Sequence, residues 1–292
     1  MKVDLHLHTT ASDGRLSPEE IVELAARRGL GVIAITDHDS TEGVAPALKR
    51  AKAFPALFVI PGVEISTDVP HGEVHILGYF INIHAEELGN ILRRLRNSRQ
   101  ERAQAMIAKL NDLGIYIEWR RVLELAGGGS VGRPHIAQAM FERGYIPSLQ
   151  EAFLKYIGVG GPAYAPRERM TPEEAVRLIV RVEGLPVLAH PADIDDLEGF
   201  LRRLEAAGLV GLEVYYDGYP QRVIEQLAGI AKSHHLIPCG GSDYHGVKGG
   251  AETPIGSVAI PIDAVKQLMA LASPRWEVST WASIFLDGAA SR

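Results

Sequence analysis

The sequence predicts an α/β fold in which helices alternate with parallel strands to build a barrel or an open sheet. Residues 17–20 and 171–174 are capping boxes with proline at the first helical position, and each precedes an amphipathic helix and then an apolar strand. Polar residues interrupt the ends of several predicted strands, where such folds gather their functional groups. Repeated helix-strand units with this pattern are typical of parallel α/β proteins.

The first predicted strand carries two histidines. Apolar and polar residues alternate over residues 2–8, so a strand there presents Asp4, His6 and His8 on one face. Two imidazoles on one face can share a metal ion. An isolated pair of this kind also occurs on ordinary exposed strands, so its meaning depends on which residues lie beside it.

The later strands end in polar residues of the same kinds. Residues 32–35 form an apolar run suited to a strand covered on both faces, and it leads toward His38. Because the carboxyl ends of parallel strands meet at one edge, we expect His38, Glu64, His190 and Asp243 to lie together. The remaining strand candidates are residues 58–65, 73–80, 185–189, 211–215 and 237–242.

The middle of the chain lacks the repeated helix-strand pattern. From residue 84 to residue 165 apolar residues recur at helical spacing, and no strand-helix unit is evident. We interpret residues 84–165 as a helical insertion that covers the site, and residues 1–83 and 166–292 as the barrel.

Composition excludes several classes of protein. The 292 residues are 46% hydrophobic and 23% charged, which argues against disorder, and the formal charge of -6 argues against broad adhesion to nucleic acid or membranes. One cysteine, Cys239, excludes an internal disulfide and a thiolate cluster and suits a reducing compartment. With no membrane-spanning run and a polar start where a signal peptide would be apolar, we expect a cytoplasmic protein, and we expect a monomer.

Short motifs along the chain resemble those of the PHP (polymerase and histidinol phosphatase) family. The resemblance covers nearly the whole chain and implies a distorted (β/α)7 barrel with a two- or three-metal centre at its mouth. The motifs are His6-Leu7-His8, Thr36-Asp37-His38, Pro61-Gly62-Val63-Glu64, His75, Ala189-His190-Pro191 and Ser242-Asp243-Tyr244-His245.

The resemblance also implies which residues hold each ion. The implied groups are His6, His8, Glu64 and Asp243 for the first ion, Glu64, His75 and His190 for the second, and Asp13, His38 and His245 for the third. Imidazoles and carboxylates without thiolates suit Mn²⁺, Fe²⁺ or Zn²⁺. We expect three divalent ions, with manganese first and iron or zinc as alternatives.

Adjacent divalent ions point to hydrolysis of a phosphate ester, with a hydroxide held by the metal ions as the attacking group. The short chain, the stretch of residues 36–39 and the helical insertion most resemble one branch of the family, the nucleoside 3′,5′-bisphosphate phosphatases and the 5′-to-3′ exoribonucleases of the RNase AM type. The expected substrate is a small nucleotide such as pAp, which would give AMP and phosphate, or a short 5′-phosphorylated RNA end.

The insertion offers cations for a second phosphate. Arg96, Arg99 and Arg102 recur every third residue and form a basic stripe on one helix face, where they could bind phosphate. The alternative is that the stripe is an ordinary solvated helix face. The candidate substrate-binding residues are Arg99, Arg133, His135 and Lys155.

Two aspartates are candidates for orienting the metal ligands. Asp4 and Asp37 could accept the second N–H of ligating imidazoles, although either could instead cap local backbone.

Three other functions stay open at this point. Histidinol-phosphate phosphatases have similar length, and a non-enzymatic metal-binding module would use the same ligands. A generic amidohydrolase also fits a metal barrel, but it usually carries a lysine on a barrel strand that the sequence does not place.

Overall fold

The computed structural model describes residues 1–69, 72–127, 131–166, 170–246 and 254–272; residues 273–292 of the predicted barrel lie outside this described part. Within it, seven strands form one sheet whose spatial order equals their order in the chain. The strands are β1 Lys2–Asp4, β2 Leu30–Ile35, β3 Phe58–Val69, β4 Gly72–Tyr79, β5 Leu185–Leu188, β6 Gly211–Tyr216 and β7 Ile237–Gly241.

The sheet curls until its two edges meet. Leu5, just after β1, donates its backbone N–H to the carbonyl of Gly240 in β7 at 3.2 Å. A parallel bridge then joins Leu7 to Tyr244. The sheet is therefore nearly closed, and the predicted α/β barrel is confirmed.

One strand is antiparallel to its neighbours, whereas the sequence predicted parallel strands. β4 is antiparallel to both β3 and β5, whereas the other neighbouring pairs are parallel. β3 ends at Val69 and β4 begins at Gly72, and so short a connection can join only antiparallel strands. As a result, the first half of β4 lies at the barrel end that the other strands reach with their carboxyl ends.

The helices begin largely where the sequence predicts. The Ser17 hydroxyl accepts the N–H of Glu20 at 3.2 Å, and the Glu20 carboxylate accepts the N–H of Ser17 at 2.7 Å; Thr171 and Glu174 repeat the arrangement. The helices are α1 Pro18–Arg27, α2 Val44–Ala51, α3 Glu86–Asp112, α4 Trp119–Ala126, α5 Arg133–Glu142, α6 Leu149–Ala152 with a π-helical turn Phe153–Ile157, α7 Pro172–Arg181, α8 Leu197–Ala207, α9 Gln221–Ser233 and α10 Ile262–Ala272.

Helices α3 to α6 lie between β4 and β5 in the chain and have an apolar core of their own. Met106, Leu110, Ile136 and Met140 are fully or almost fully buried within it. This arrangement agrees with the helical periodicity of the segment, and we keep its boundaries at residues 84–165 as a proposal.

Apolar residues from strands around the sheet meet in one cluster. Leu5, Ile60, Leu77 and Val187 belong to it, and α10 contributes Leu268. A second cluster packs α7 and α8 against the strands. The barrel thus has a filled centre, which keeps its mouth rigid enough to position polar side chains. In the described part of the chain, no helix is long and apolar enough to span a bilayer.

We expect Ile76→Ala, which empties a fully buried site on β4, to lower the free energy of unfolding by about 2–5 kcal/mol. Leu154→Ala is the matched control, since that side chain is 72% exposed and its loss should change stability by less than about 0.5 kcal/mol. Chemical denaturation of the variants measures both values. Equal destabilisation by the two substitutions would contradict this account of the core.

Candidate metal centre

The structure brings the nine implied ligands together at one end of the barrel. They come from six of the seven strands or from the residues that follow them, because the strand ends meet there. His6 and His8 follow β1, Asp13 lies in the next loop, His38 follows β2, Glu64 is in β3, His75 is in β4, His190 follows β5, and Asp243 and His245 follow β7.

Glu64 lies at the centre of the cluster and is 1% exposed. Both of its carboxylate oxygens contact imidazoles. Oε2 lies 3.3 Å from His6 Nε2, 3.3 Å from His8 Nε2 and 2.9 Å from His38 Nδ1, and Oε1 lies 2.9 Å from His75 Nδ1 and 3.4 Å from His190 Nε2. One carboxylate therefore joins five imidazoles, as a bridging ligand would.

Two aspartates close the cluster on its other sides. Asp243 Oδ1 lies 2.9 Å from His8 Nε2 and 3.3 Å from His6 Nε2. Asp13 Oδ1 lies 3.4 Å from His245 Nε2 and 3.6 Å from His8 Nδ1.

The ligand atoms group differently from the three sets that the resemblance implies. Three sets have atoms within 4.8 Å of one another: His8, Asp13, His38 and His245; His6, His8 and Glu64; and His38, Glu64 and His75. His8 and His38 each belong to two sets. The groups therefore overlap, and the ligands form one continuous cluster.

The chemistry of these side chains fits divalent cations. Several buried nitrogen and oxygen atoms in the described residues make no hydrogen bond, although buried polar atoms normally do. These atoms are His6 Nε2, His8 Nε2, Asp13 Oδ1, His38 Nδ1, Glu64 Oε2 and Asp243 Oδ1. Imidazole nitrogens and carboxylate oxygens that converge without hydrogen bonds can hold Mn²⁺, Fe²⁺ or Zn²⁺.

Neighbouring opposite charges shift the pKa values of several carboxylates and imidazoles of the cluster toward their charged forms. Burial alone would raise the pKa of Glu64, but the charges of the nearby imidazoles, His38 foremost, keep it well below its usual range. Burial alone would lower the pKa of His8, but Asp243 and Glu64 raise it to about 10. His75 is the exception, because burial lowers its pKa.

Two residues that were not predicted from the sequence orient the ligands. Glu213, fully buried in β6, lies 2.9 Å from His6 Nδ1 and accepts the backbone N–H of His190 at 2.7 Å. Tyr216 donates its hydroxyl to Asp243 Oδ2 at 2.7 Å. A charged residue within an apolar strand was the available signal for Glu213, because such a residue needs a buried partner.

Asp4 and Asp37 do not contact ligand imidazoles directly. Asp4 accepts the backbone N–H groups of Ser242 and Gly256 at 2.9 and 2.8 Å, as in the alternative in which it caps local backbone. Asp37 accepts the Ser12 hydroxyl at 2.7 Å, and that hydroxyl lies 3.5 Å from His8 Nδ1. Asp37 thus acts on His8 only through Ser12.

A cavity of about 150 Å³ lies directly beside the cluster. Metal-ligand candidates line one side, and cationic side chains of the helical segment line the other. The lining residues include Asp13, His38 and His75, then Glu73, Arg99, Arg102 and Arg133, and Phe153.

Two of the four candidate substrate-binding residues, Arg99 and Arg133, line this cavity. His135 instead caps α5, since its Nδ1 accepts the backbone N–H of Gly132 at 3.0 Å. Lys155 is 60% exposed and pairs with Glu151, so in this structure it contributes nothing to the cavity, contrary to expectation.

The basic stripe on α3 is largely paired with carboxylates of the barrel. Arg96 contacts Glu42 and Arg99 contacts Asp39, both at 2.7 Å. Arg102, the third member, contacts Glu73 at 3.0 Å. The stripe therefore fastens α3 over the mouth, and it is not a free solvated face.

Comparison with known proteins gives consistent results. The family model of the PHP domain matches residues 4–161. The chain is 38% identical over 247 residues to the 5′-3′ exoribonuclease Rnm of Salmonella typhimurium, covering 83% of this chain and 84% of that protein. It is 33% identical over 253 residues to the 3′,5′-nucleoside bisphosphate phosphatase of Chromobacterium violaceum, covering 83% and 87%.

A solved structure shares the fold. An amidohydrolase from Chromobacterium violaceum, solved with bound sulfate and no metal, superposes with a TM-score of 0.82 and 30% sequence identity, over 93% of this chain and 97% of that one.

We expect Mn²⁺ binding to the metal-free protein to release protons, because His8, with a pKa of about 10, is protonated at neutral pH and must lose its proton to coordinate. Affinity should therefore rise between about pH 6 and pH 8. Titration calorimetry in buffers of different ionisation enthalpy measures the release. A binding heat that is the same in every buffer would contradict the prediction.

We expect Glu213→Gln to weaken Mn²⁺ binding by about 10- to 100-fold, because the amide removes the negative charge that supports His6. Glu205→Gln is the matched control, since Glu205 makes the same 2.9 Å contact to His234 away from the centre. Calorimetric titration measures the Mn²⁺ affinity of both variants. Equal affinities would show that Glu213 does not support metal binding.

Proposed function

Because this chain belongs to the PHP domain family and is a metal-dependent phosphoesterase, we propose that it removes the 3′-phosphate of nucleoside 3′,5′-bisphosphates, converting pAp to AMP and phosphate. The observation that carries the proposal is the cavity in which metal-ligand candidates face Arg99, Arg102 and Arg133. Such a cavity suits a substrate with two phosphates. The name of the relative from Chromobacterium violaceum supports the same substrate.

Three divalent ions are proposed for the centre, with manganese first, held by the nine ligands described above. When bound, such ions lower the pKa of water and stabilise negative charge on phosphoryl oxygens. Glu64 brings the ligands of neighbouring ions together, and Glu213 and Tyr216 fix the rings and carboxylates in place.

The arginines are proposed to hold the 5′-phosphate. Guanidinium groups donate two parallel hydrogen bonds to phosphate oxygens, and they keep their charge at any physiological pH. Arg133 also lies 5.7 Å above the ring of Phe153, which limits its movement. With one phosphate at the arginines, the 3′-phosphate is directed to the metal side of the same cavity.

The same geometry supports a second activity, removal of the first nucleotide from 5′-phosphorylated RNA. The 5′ end of such an RNA carries a 5′-phosphate and, on the same ribose, a 3′-phosphodiester. A nucleoside 3′,5′-bisphosphate has phosphorus at the same two positions, with a monoester in place of the 3′-phosphodiester. The exoribonuclease name of the Salmonella relative favours this activity.

The alternative substrates fit the cavity less well. Histidinol phosphate has one phosphate and a cationic amine, which the three arginines would repel. The generic amidohydrolase needs a lysine, and no lysine lines this cavity in the described part of the chain. We also propose that the protein is cytoplasmic and monomeric, as the sequence led us to expect.

We expect the manganese-loaded protein to turn over pAp with a kcat/KM on the order of 100-fold above that for histidinol phosphate, since only pAp offers the arginines a second phosphate. Phosphate release measures both rates. The reverse preference would identify a histidinol-phosphate phosphatase.

We expect His8→Ala and Asp243→Ala to lower kcat on pAp by at least about 100-fold, because each removes a ligand candidate from the centre. Glu205→Gln, remote from the centre, is the control. Activity that survives both alanine substitutions would show that hydrolysis does not occur at this centre, and no phosphate release by the wild type with Mn²⁺, Fe²⁺ or Zn²⁺ would favour a non-enzymatic metal-binding module.

A further inference from the structure

Glu73 occupies the cationic side of the cavity. Its Oε1 lies 3.0 Å from an Arg102 nitrogen and 3.1 Å from an Arg133 nitrogen. The same oxygen thus contacts two guanidinium groups from different helices, α3 and α5. A carboxylate of the protein is bound where the second phosphate of the proposed substrate would bind.

Glu73 is the more accessible of the two carboxylates at the arginines. Asp39, which contacts Arg99 at 2.7 Å, is fully buried, and its other oxygen accepts the backbone N–H of Ser66 at 2.9 Å. Glu73 is 22% exposed. Exchange of an anion at the arginines therefore involves Glu73.

There is also space for Glu73 to move into. Glu73 also lines a second cavity of about 430 Å³, whose other lining residues include Val74, His190 and Phe200. A rotation of the Glu73 side chain toward that cavity would release Arg102 and Arg133 without moving the backbone of β4.

We propose that Glu73 is a specificity-determining residue that reserves the arginine side of the cavity for a terminal phosphate monoester. This inference rests on the proposed function, since it assigns a property to the second phosphate of that substrate. The negative charge of Glu73 selects the ligand, because an incoming group must replace this carboxylate at the guanidinium groups of Arg102 and Arg133.

The charge of the incoming group decides the exchange. A phosphate monoester carries about −1.5 to −2 charges at neutral pH, more than the carboxylate that it replaces. A phosphodiester carries a single negative charge, so its exchange with Glu73 gains no charge attraction. Glu73 therefore favours a free 5′-phosphate over an internal diester, and nucleotides inside an RNA chain are excluded from the arginines.

The test compares pAp with its 5′-methyl phosphate ester, in which the 5′ group is a diester and the 3′-phosphate is unchanged. For the manganese-loaded wild type, KM of the methyl ester should exceed KM of pAp by about tenfold or more. In Glu73→Gln, which keeps the shape and removes the charge, the ratio should fall to about threefold or less. Any steric effect of the methyl group is the same in both proteins.

Glu42→Gln is the matched control. Glu42 pairs with Arg96 on the same helix but lies outside the cavity, so this variant should keep the wild-type ratio. Thermal unfolding of all three proteins confirms that they are folded.

The outcomes separate the two proposals. A Glu73→Gln ratio equal to that of the wild type, or a rise of both KM values by the same factor, would show that Glu73 only positions the arginines and would overturn the inference alone. A wild type with no preference for pAp over 3′-AMP would overturn the proposed function, and the inference with it.

Discussion

Burial of one carboxylate, Glu64, is the constraint on which the rest of the barrel mouth depends. A charge at 1% exposure is costly unless opposite charges or cations surround it, and here five imidazoles do so. Those imidazoles come from four separate segments of the chain, which meet because the sheet closes. The reversed strand β4 belongs to the same requirement, since it delivers His75 from the start of a strand to the end of the barrel where its neighbours finish.

Three residues at the barrel mouth have a strained backbone conformation. Asp39, His190 and Asp243 all have left-handed conformations, with φ of 47°, 30° and 52°. Each follows a strand, and residues other than glycine adopt this conformation at a cost. Contacts of their side chains and backbones to Arg99, Glu213 and Tyr216 hold these conformations in place. Three of the seven non-glycine residues that have positive φ in the described part of the chain thus lie where the candidate ligands and their supports meet.

Helix α3 connects the metal centre to substrate selection. The arginines of α3 pair with carboxylates of the barrel, and these ion pairs hold the helix in place. Two of the same arginines, Arg99 and Arg102, line the cavity and are the cations proposed to bind phosphate. In the role proposed for Glu73, a ligand binds at these arginines by replacing that carboxylate. This explains how a chain with a formal charge of -6 can still recognise a phosphorylated substrate at one local site.

The sequence by itself determined the alternation of strands and capped helices and the polar residues at the strand ends, because residues that interrupt apolar strands are visible without coordinates. The closed barrel and the nine ligand candidates were predicted from the resemblance of its motifs to those of the PHP family. The sequence also pointed to Arg99 and Arg133. Only the tertiary structure decided the reversal of β4, the sharing of His8 and His38 between ligand groups, and the positions of Glu213 and Glu73, while it placed Lys155 away from the cavity. These features depend on partners far apart in the chain: Glu213 and His6 are separated by 207 residues, and no local pattern encodes which side chains a closed sheet brings face to face.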